Sequence, residues 1–220
     1  MMDGIGLVDR LVEWIEYGKI FCRERTTNYI RAMGMLLYHS GLSYEKASEF
    51  LGVSHEAVRE WYQKGKVLFE QTVEKKKRKR IAVDEKEIKV NGTTIYIWGA
   101  VDLENEEVIA VATSFGRSGL EAFAFMKKVR NTCKGRLPVV FVDGGTWYPW
   151  AFGRLGFNRY VVVHFGPRSA IERLFGGIEW RIRRFWNKFC GHQSRGSVQR
   201  WVEAFVGFRN YRKDIMGALS

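Results

Sequence analysis

The chain has 220 residues, and its 36 Lys and Arg against 24 Asp and Glu give a formal charge of +12. With 46% hydrophobic residues it can bury a core, which excludes a generally disordered chain, and no apolar run is long enough to span a membrane. Three scattered cysteines without a CxxC pair exclude a disulfide framework and a zinc site, so we expect a soluble cytoplasmic protein that binds a polyanion.

The N-terminal third has the pattern of a helix-turn-helix. Apolar positions at helical spacing predict a helix over 28–40, and Ser43 and Ser54 are predicted N-caps of two further helices separated by Gly52. Two steeply crossing helices need a glycine in the tight turn and a small residue at the crossing, which here is Ser48.

The outer face of the last of these helices carries His55, Arg59 and Gln63. A recognition helix reads the major groove with its N-terminal residues, so these three side chains are predicted to contact DNA. The alternative is a plain helical hairpin within a bundle.

The basic charge is unevenly distributed along the chain. The net charge is +4 over 1–80, −1 over 81–153 and +9 over 154–220. The densest basic run, 75–80, lies where helical periodicity gives way to strand-like sequence, which is typical of a solvated linker. Because such a run also neutralises phosphates, Lys76 and Arg78 are predicted to contact DNA.

From residue 81 the pattern becomes that of strands. The Asn91-Gly92 dipeptide predicts a β-hairpin, and a third strand follows it. A helix, a fourth strand, a short helix, a fifth strand and two more helices complete the order, which is that of the ribonuclease-H-like α/β fold, a mixed five-stranded sheet flanked by helices. We therefore predict a helix-turn-helix domain over 1–74, a basic linker over 75–80 and a catalytic domain over 81–220.

Three acidic residues lie at particular positions in the predicted succession of strands and helices. Asp84 lies in the first strand, Asp143 ends the fourth, and Glu172 lies in the first turns of the long helix that follows. The first and fourth strands are neighbours in such a sheet, so these carboxylates are expected to meet, and clustered carboxylates suit Mg²⁺ or Mn²⁺. Two such ions about 3.5–4 Å apart activate a water or a 3′-hydroxyl and stabilise the leaving oxygen of a phosphodiester.

Each acid also has a structural interpretation. An Asp beside Gly-Gly is often a turn former, and a Glu early in a helix complements the helix dipole. Asp102, on the strand next to the first, is interpreted as a turn-initiating residue rather than as a metal ligand.

Four blocks carry a family resemblance: GLSYEKASEFLGVSHEAVREW, VDEKEIKVNG, VDGGTWYPWAF and RSAIERLFGGIEWRIRRFWNKF. In this order and spacing they resemble the small DDE transposases of bacterial and archaeal insertion sequences, within the retroviral-integrase-like superfamily, and most nearly insertion-sequence family six. The resemblance implies that Asp84, Asp143 and Glu172 are the catalytic and metal-binding triad, with two Mg²⁺ or Mn²⁺ ions. It also implies a nucleoid-associated enzyme that cleaves double-stranded DNA at element ends and joins it to a target, as a homodimer or larger synaptic assembly.

Glu179 competes with Glu172 for the third position, because its distance along the chain from Asp143 is nearer the integrase-like spacing. The Ile171-Glu172 pair matches the family's local motif, which favours Glu172. Relatives have Lys or Arg where this chain has Glu179, a base that would touch terminal DNA. We expect the nearby bases to substitute for it, namely Arg181, Arg183 and Arg184.

Two other functions are compatible with the sequence. One is a catalytically inert DNA-binding or domesticated copy, for which the acid at Glu179 is the main support. The other is a ribonuclease-H-like nuclease without strand transfer, which would not require the helix-turn-helix.

Overall fold

A computed structural model describes residues 6–22, 25–164, 166–183 and 194–217, with the side chains of the last helix described as far as residue 212. The chain divides into two compact units, a first unit of residues 1–72 with 203–220 and a second unit of residues 73–202. Among the described helices, none is both long and apolar enough to cross a membrane.

The first unit is helical. Its helices are α1 (Leu7–Tyr17), α2 (Asn28–His39), α3 (Tyr44–Leu51), α4 (His55–Gln63) and α5 (Gly65–Thr72), with the later part of α9 (Arg195–Gly217). The helices α2 to α4 begin within a residue of their predicted starts, whereas α1 and α5 have no counterpart among the predicted elements.

The turn between α3 and α4 forms as the sequence predicts. Gly52 has the left-handed φ of 64°, and the hydroxyl oxygen of Ser54 accepts a hydrogen bond from the backbone N–H of Ala57. Ser48 is 8% exposed at the helix crossing, and Val58 is fully buried. The three helices α2, α3 and α4 pack pairwise, as a helix-turn-helix requires.

Residues 203–220 belong to the first unit, which differs from the predicted division at 74 and 81. The physical reason is aromatic packing: Phe208 stacks on Tyr62 with ring centroids 5.1 Å apart and lies against Gly65, and Phe205 contacts His39. The basic residues 75–80, predicted as a linker, lie within the second unit.

The second unit is built on one five-stranded sheet with strand order β3-β2-β1-β4-β5. Its elements are β1 (Arg80–Val90), β2 (Thr93–Asp102), β3 (Val108–Ser114), α6 (Gly119–Asn131), β4 (Val139–Val142), α7 (Tyr148–Leu155), β5 (Tyr160–Val162) and α8 (Ser169–Arg183). The first three strands pair antiparallel, whereas β4 pairs parallel to β1 and β5 parallel to β4. This topology confirms the predicted ribonuclease-H-like fold.

Two features of this unit position the functional residues. The hairpin turn at Asn91-Gly92 has positive φ at both residues, as a tight two-residue turn requires, and it sets the register that pairs Asp84 with Gly99. A Cβ at Gly99 would lie 3.0 Å from the Ile171 side chain, so glycine lets α8 approach β2 closely. The start of α8 is thereby held near the middle of β1.

Candidate active site

Asp84 lies in the interior of β1 and is 7% exposed. Its Oδ1 accepts a hydrogen bond from the backbone N–H of Glu85 at 2.9 Å. Its Oδ2 accepts a hydrogen bond from Nη2 of Arg168, just before α8, at 2.6 Å. The carboxylate therefore already has a contact at each oxygen.

Asp143 follows the last residue of β4, the strand that pairs parallel with β1. Its Oδ1 accepts a hydrogen bond from the backbone N–H of Gly145 at 3.0 Å, and Gly144 has φ of 95°. Asp143 thus forms the turn that its Gly-Gly neighbours suggest, and the turn leaves its carboxylate beside that of Asp84.

The third carboxylate of this cluster is Glu85, which the sequence analysis did not single out. Carboxylate oxygens of Asp84, Glu85 and Asp143 all lie within 4.8 Å of one another, and we call these three residues the acidic cluster. Adjacent residues of a strand point to opposite faces, so alternation argues against two consecutive ligands. The available signal was the acidic pair itself, which directly follows the buried apolar residues 81–83 of β1.

Glu85 is fixed by donors from two other elements. Its Oε2 accepts hydrogen bonds from the hydroxyl of Tyr148 at 2.7 Å and from Nε1 of Trp147 at 3.3 Å. Nη1 of Arg117 lies 3.6 Å from its Oε1, and the same guanidinium lies over the Trp147 ring at 4.8 Å. The side chain of Glu85 is 2% exposed, so the cluster is screened from water on this side.

Burial and mutual repulsion dominate the electrostatics of the acidic cluster. Burial raises the pKa of Asp84 and the neighbouring Asp143 charge adds to this, although the ion pair with Arg168 opposes it. Burial also raises the pKa of Glu85, and the charges of Asp84 and Asp143 raise it further. Burial beside these acids holds the pKa of Tyr148 well above its ordinary value. Burial and the neighbouring carboxylates therefore both disfavour the charged forms of Asp84 and Glu85.

This donor set fits a divalent metal ion. Carboxylate oxygens are the ligands that Mg²⁺ and Mn²⁺ prefer, and the close approach of three of them is favourable only with a cation nearby. The raised pKa values of Asp84 and Glu85 indicate that the charge is not fully compensated by the arginines that contact them.

Glu172 lies on the first turns of α8, is exposed and stands outside the acidic cluster of the described structure. Its backbone N–H bonds to the carbonyl of Arg168 at 3.0 Å, and its charge acts on the Arg168 guanidinium. Glu179 lies two turns further on, where its Oε1 is 2.7 Å from Nζ of Lys86. Of the two acids, Glu172 is the one whose charge reaches a residue bonded to Asp84.

Asp102 ends β2 and is buried away from the acidic cluster. Its Oδ1 accepts a hydrogen bond from the backbone N–H of Glu104 at 3.0 Å, which is the turn role read from the sequence. Its Oδ2 pairs with Nη1 of Arg78 at 2.7 Å.

Some of the residues predicted to contact DNA are accessible to solvent and others are buried. His55 is exposed and Arg59 is partly exposed on α4, where Arg59 Nε donates to Glu56 at 3.0 Å, and Gln63 is partly exposed at the end of that helix. The Arg59 hydrogen bond lowers the pKa of Glu56. These three predicted contacts keep the accessible positions that DNA binding requires.

Among the basic candidates of the second unit, Arg183 is exposed and Lys76 is partly exposed, with its Nζ 2.7 Å from Glu107. Arg78 and Arg181 are 4% and 1% exposed, so the prediction that they contact DNA is corrected: their guanidinium groups are interior. Arg184 lies outside the described residues.

The matches to known proteins cover most of the chain. The DDE domain family of IS240-type transposases matches residues 78–215. An uncharacterised protein of Methanocaldococcus jannaschii is 35% identical over 212 residues, 94% of this chain and 98% of that protein. The simian T-cell lymphotropic virus intasome, in complex with a regulatory subunit of PP2A, matches at 14% identity and a TM-score of 0.47, covering 60% of this chain and 48% of that chain.

Proposed function

Because the chain belongs to the DDE domain family of IS240-type insertion-sequence transposases, we propose that it binds the ends of a DNA element, cleaves them and joins them to target DNA. The proposed catalytic and metal-binding residues are Asp84, Asp143 and Glu172. The proposed cofactor is Mg²⁺ or Mn²⁺, with two ions in each active site, and the proposed assembly is a homodimer or larger complex on two DNA ends.

The observation that carries this proposal is the meeting of Asp84 and Asp143, from two neighbouring parallel strands, within one cluster of carboxylate oxygens no more than 4.8 Å apart. Both acids lie inside the range that matches the DDE domain. Phosphodiester cleavage without a covalent intermediate needs oxygen ligands rather than a nucleophilic side chain, and this cluster supplies them.

The side chains have separate tasks in the proposed reaction. Asp84 and Asp143 would hold the metal ions, and Glu172 would join them from α8, one helical turn after Arg168. Mg²⁺ or Mn²⁺ held by these residues would supply activation of the attacking water or 3′-hydroxyl and stabilisation of the leaving oxygen. Glu85 fixes the segment after Asp143 through its bonds to Trp147 and Tyr148.

We propose that α4 is the recognition helix that binds the element ends. His55 and Arg59 lie on its outer face near the N-terminus, the part of a recognition helix that reaches base edges in the major groove. The Glu56 carboxylate, one helical turn earlier, accepts a hydrogen bond from Nε of Arg59 at 3.0 Å and holds the guanidinium on this outer face.

A second candidate function is an inert DNA-binding copy, and Glu179 is the residue that favours it. The relatives' base at this position would contact terminal DNA, whereas here the acid pairs with Lys86 at 2.7 Å. Such a protein would bind element ends and form no cleaved or joined product.

The test of the main proposal is a cleavage and strand-transfer assay with labelled DNA from the element's own ends and Mg²⁺ or Mn²⁺. We expect joined products from the unaltered chain. Asp84→Asn, Asp143→Asn and Glu172→Gln should each lower the rate by about three orders of magnitude or more, because metal-held charge stabilisation contributes several kcal/mol. Glu104→Gln, an exposed acid paired with Arg80, is the matched control and should react normally.

Three outcomes would redirect the proposal. Binding without any cleavage would support the inert copy, and hydrolysis without joining would support a nuclease. If Glu172→Gln remained active while Glu85→Gln or Glu179→Gln was inactive, the third catalytic carboxylate would be the residue whose substitution abolished the reaction.

End recognition requires its own variants. Deleting residues 1–72 would leave 203–220 without the rest of the first unit, so point substitutions are the cleaner test. Arg59→Ala should weaken binding to element ends by about 1–3 kcal/mol relative to unrelated DNA. Lys46→Ala, an exposed base on α3, is the charge-matched control. Equal loss on end and unrelated DNA would contradict base reading by Arg59.

A further inference from the structure

Arg168 is the cation closest to the proposed metal ligands in the described structure. Its Nη2 lies 2.6 Å from Asp84 Oδ2, and its side chain is 15% exposed. Burial alone would lower the pKa of Arg168, but the bond to Asp84 and the charges of Asp84, Asp143 and Glu172 raise it. One guanidinium thus interacts with all three residues of the proposed triad.

The guanidinium is not bonded as a structural clamp would be. Its Nε is buried and has no hydrogen-bond partner among the described residues. A buried donor without a partner is unfavourable by about 1–3 kcal/mol. Arg168 therefore stays against Asp84 because of charge, and a competing cation can replace that attraction.

We propose that Arg168 is a built-in counter-cation that competes with the divalent metal ion for Asp84 and so sets the metal concentration at which the site loads. The proposal rests on the metal site proposed above. A divalent ion bound by Asp84 must overcome repulsion from the guanidinium, or displace it from Oδ2. The same contact keeps Asp84 partly neutralised while no metal ion is bound, which limits repulsion within the acidic cluster.

The competition predicts a gain of affinity when the arginine is removed, which loss of structure would not produce. Mn²⁺ binding to the full chain without DNA is measured by calorimetry and by the electron paramagnetic resonance signal of free Mn²⁺. Arg168→Gln should lower the Kd of the site by about tenfold or more, the factor that corresponds to losing one charge-assisted contact. Arg168→Met, which keeps the apolar stem, should show the same direction of change if the glutamine variant folds poorly.

Arg173→Gln is the matched control. It removes one positive charge from α8, the helix that directly follows Arg168, at an exposed residue whose partner is Glu106. Its Kd should stay within about twofold of the unaltered chain, because exposed charges are screened by solvent. Asp84→Asn identifies the site, since it should abolish the binding that the other proteins show.

The outcomes separate this proposal from the one it rests on. If the unaltered chain binds Mn²⁺, Asp84→Asn does not, and the Arg168 variants bind no more tightly than Arg173→Gln, the competition is wrong and the metal site stands. If Mn²⁺ binding is absent from every protein, or is unaffected by Asp84→Asn, the metal site and the competition are both wrong.

Discussion

Two clusters of charged side chains in the second unit differ in charge balance. The Arg78 cluster joins Lys76 and Arg78 to Asp102 and Glu107, so bases and acids are equal in number. The acidic cluster brings together Asp84, Glu85 and Asp143, and the arginines beside it contact its edges. The Arg78 cluster therefore balances its own charge, whereas the acidic cluster keeps an excess of carboxylates that a cation could balance.

Hydrogen bonding shows the same contrast. In the Arg78 cluster, Nε of Arg78 donates to the carbonyl of Thr132, Nη1 to Asp102 and Glu107, and Nη2 to the carbonyl of Glu74. Every guanidinium nitrogen there has a partner, whereas Nε of Arg168 has none among the described residues.

The pKa directions are opposite in the two clusters. Burial would raise the pKa of Glu107, but hydrogen bonds from Lys76 and Arg78 lower it. At the acidic cluster burial prevails and the pKa of Asp84 is raised despite its arginine. A lowered pKa means that groups of the protein balance the charge of a buried carboxylate. A raised pKa means that they do not, so that a bound cation would stabilise the charged form.

The largest expected effect on folding is that of a substitution in the Arg78 cluster. Arg78→Met would leave Asp102 and Glu107 without their central partner, and we expect it to lower the free energy of unfolding by about 3–5 kcal/mol. Denaturant unfolding at neutral pH measures this. Arg80→Met, which breaks an exposed pair with Glu104, is the control and should change stability by less than about 1 kcal/mol. Equal effects of the two variants would contradict a structural role for the Arg78 cluster.

The next effect is at the acidic cluster and depends on metal. Saturating Mn²⁺ should raise the unfolding free energy by about 2.7 kcal/mol at one hundred times Kd, because the ion binds only the folded chain. Thermal unfolding with and without Mn²⁺ checks this. Asp84→Asn and Asp143→Asn should lose the increase, while Asp102→Asn, although less stable from the start, should keep it. If Asp102→Asn lost the stabilisation by Mn²⁺, the metal ion would bind at the Arg78 cluster and the assignment to the acidic cluster would be wrong.

Much of this comparison was accessible from the sequence. The hairpin at Asn91-Gly92 and the strand order bring Asp84 beside the end of β4, so the meeting of Asp84 with Asp143 follows from topology. The same reasoning identified Asp102 as a turn residue, since its carboxylate bonds the backbone two positions on.

The remainder depends on packing that no local pattern encodes. Glu85 joins the cluster because donors from Trp147 and Tyr148, 62 and 63 residues later, hold its carboxylate. Arg78 lies in a basic run whose composition predicts a solvated segment, yet its partners are Asp102, at the far end of the hairpin, and Glu107, just before the next strand. The last helix joins the first unit through Phe208 and Tyr62, a contact between distant segments.

The smallest expected effect is the pH dependence of the metal-free fold, which tests whether the acidic cluster is strained by its own charge. Because the folded-state pKa of Glu85 is raised above its ordinary 4.5, its contribution to stability is full below that value and is lost as pH rises through the folded-state pKa. Glu85→Gln removes the charge and keeps an acceptor for Tyr148. Its stability relative to the unaltered chain should therefore increase from pH 4 to pH 7, as measured by denaturant unfolding in chelator.

Glu87→Gln, an exposed acid on the same strand, should show no such trend. A relative stability of Glu85→Gln that stayed flat or fell over this range would mean that Trp147, Tyr148 and Arg117 compensate the carboxylate fully, and the contrast between the two clusters would then rest on Asp84 alone.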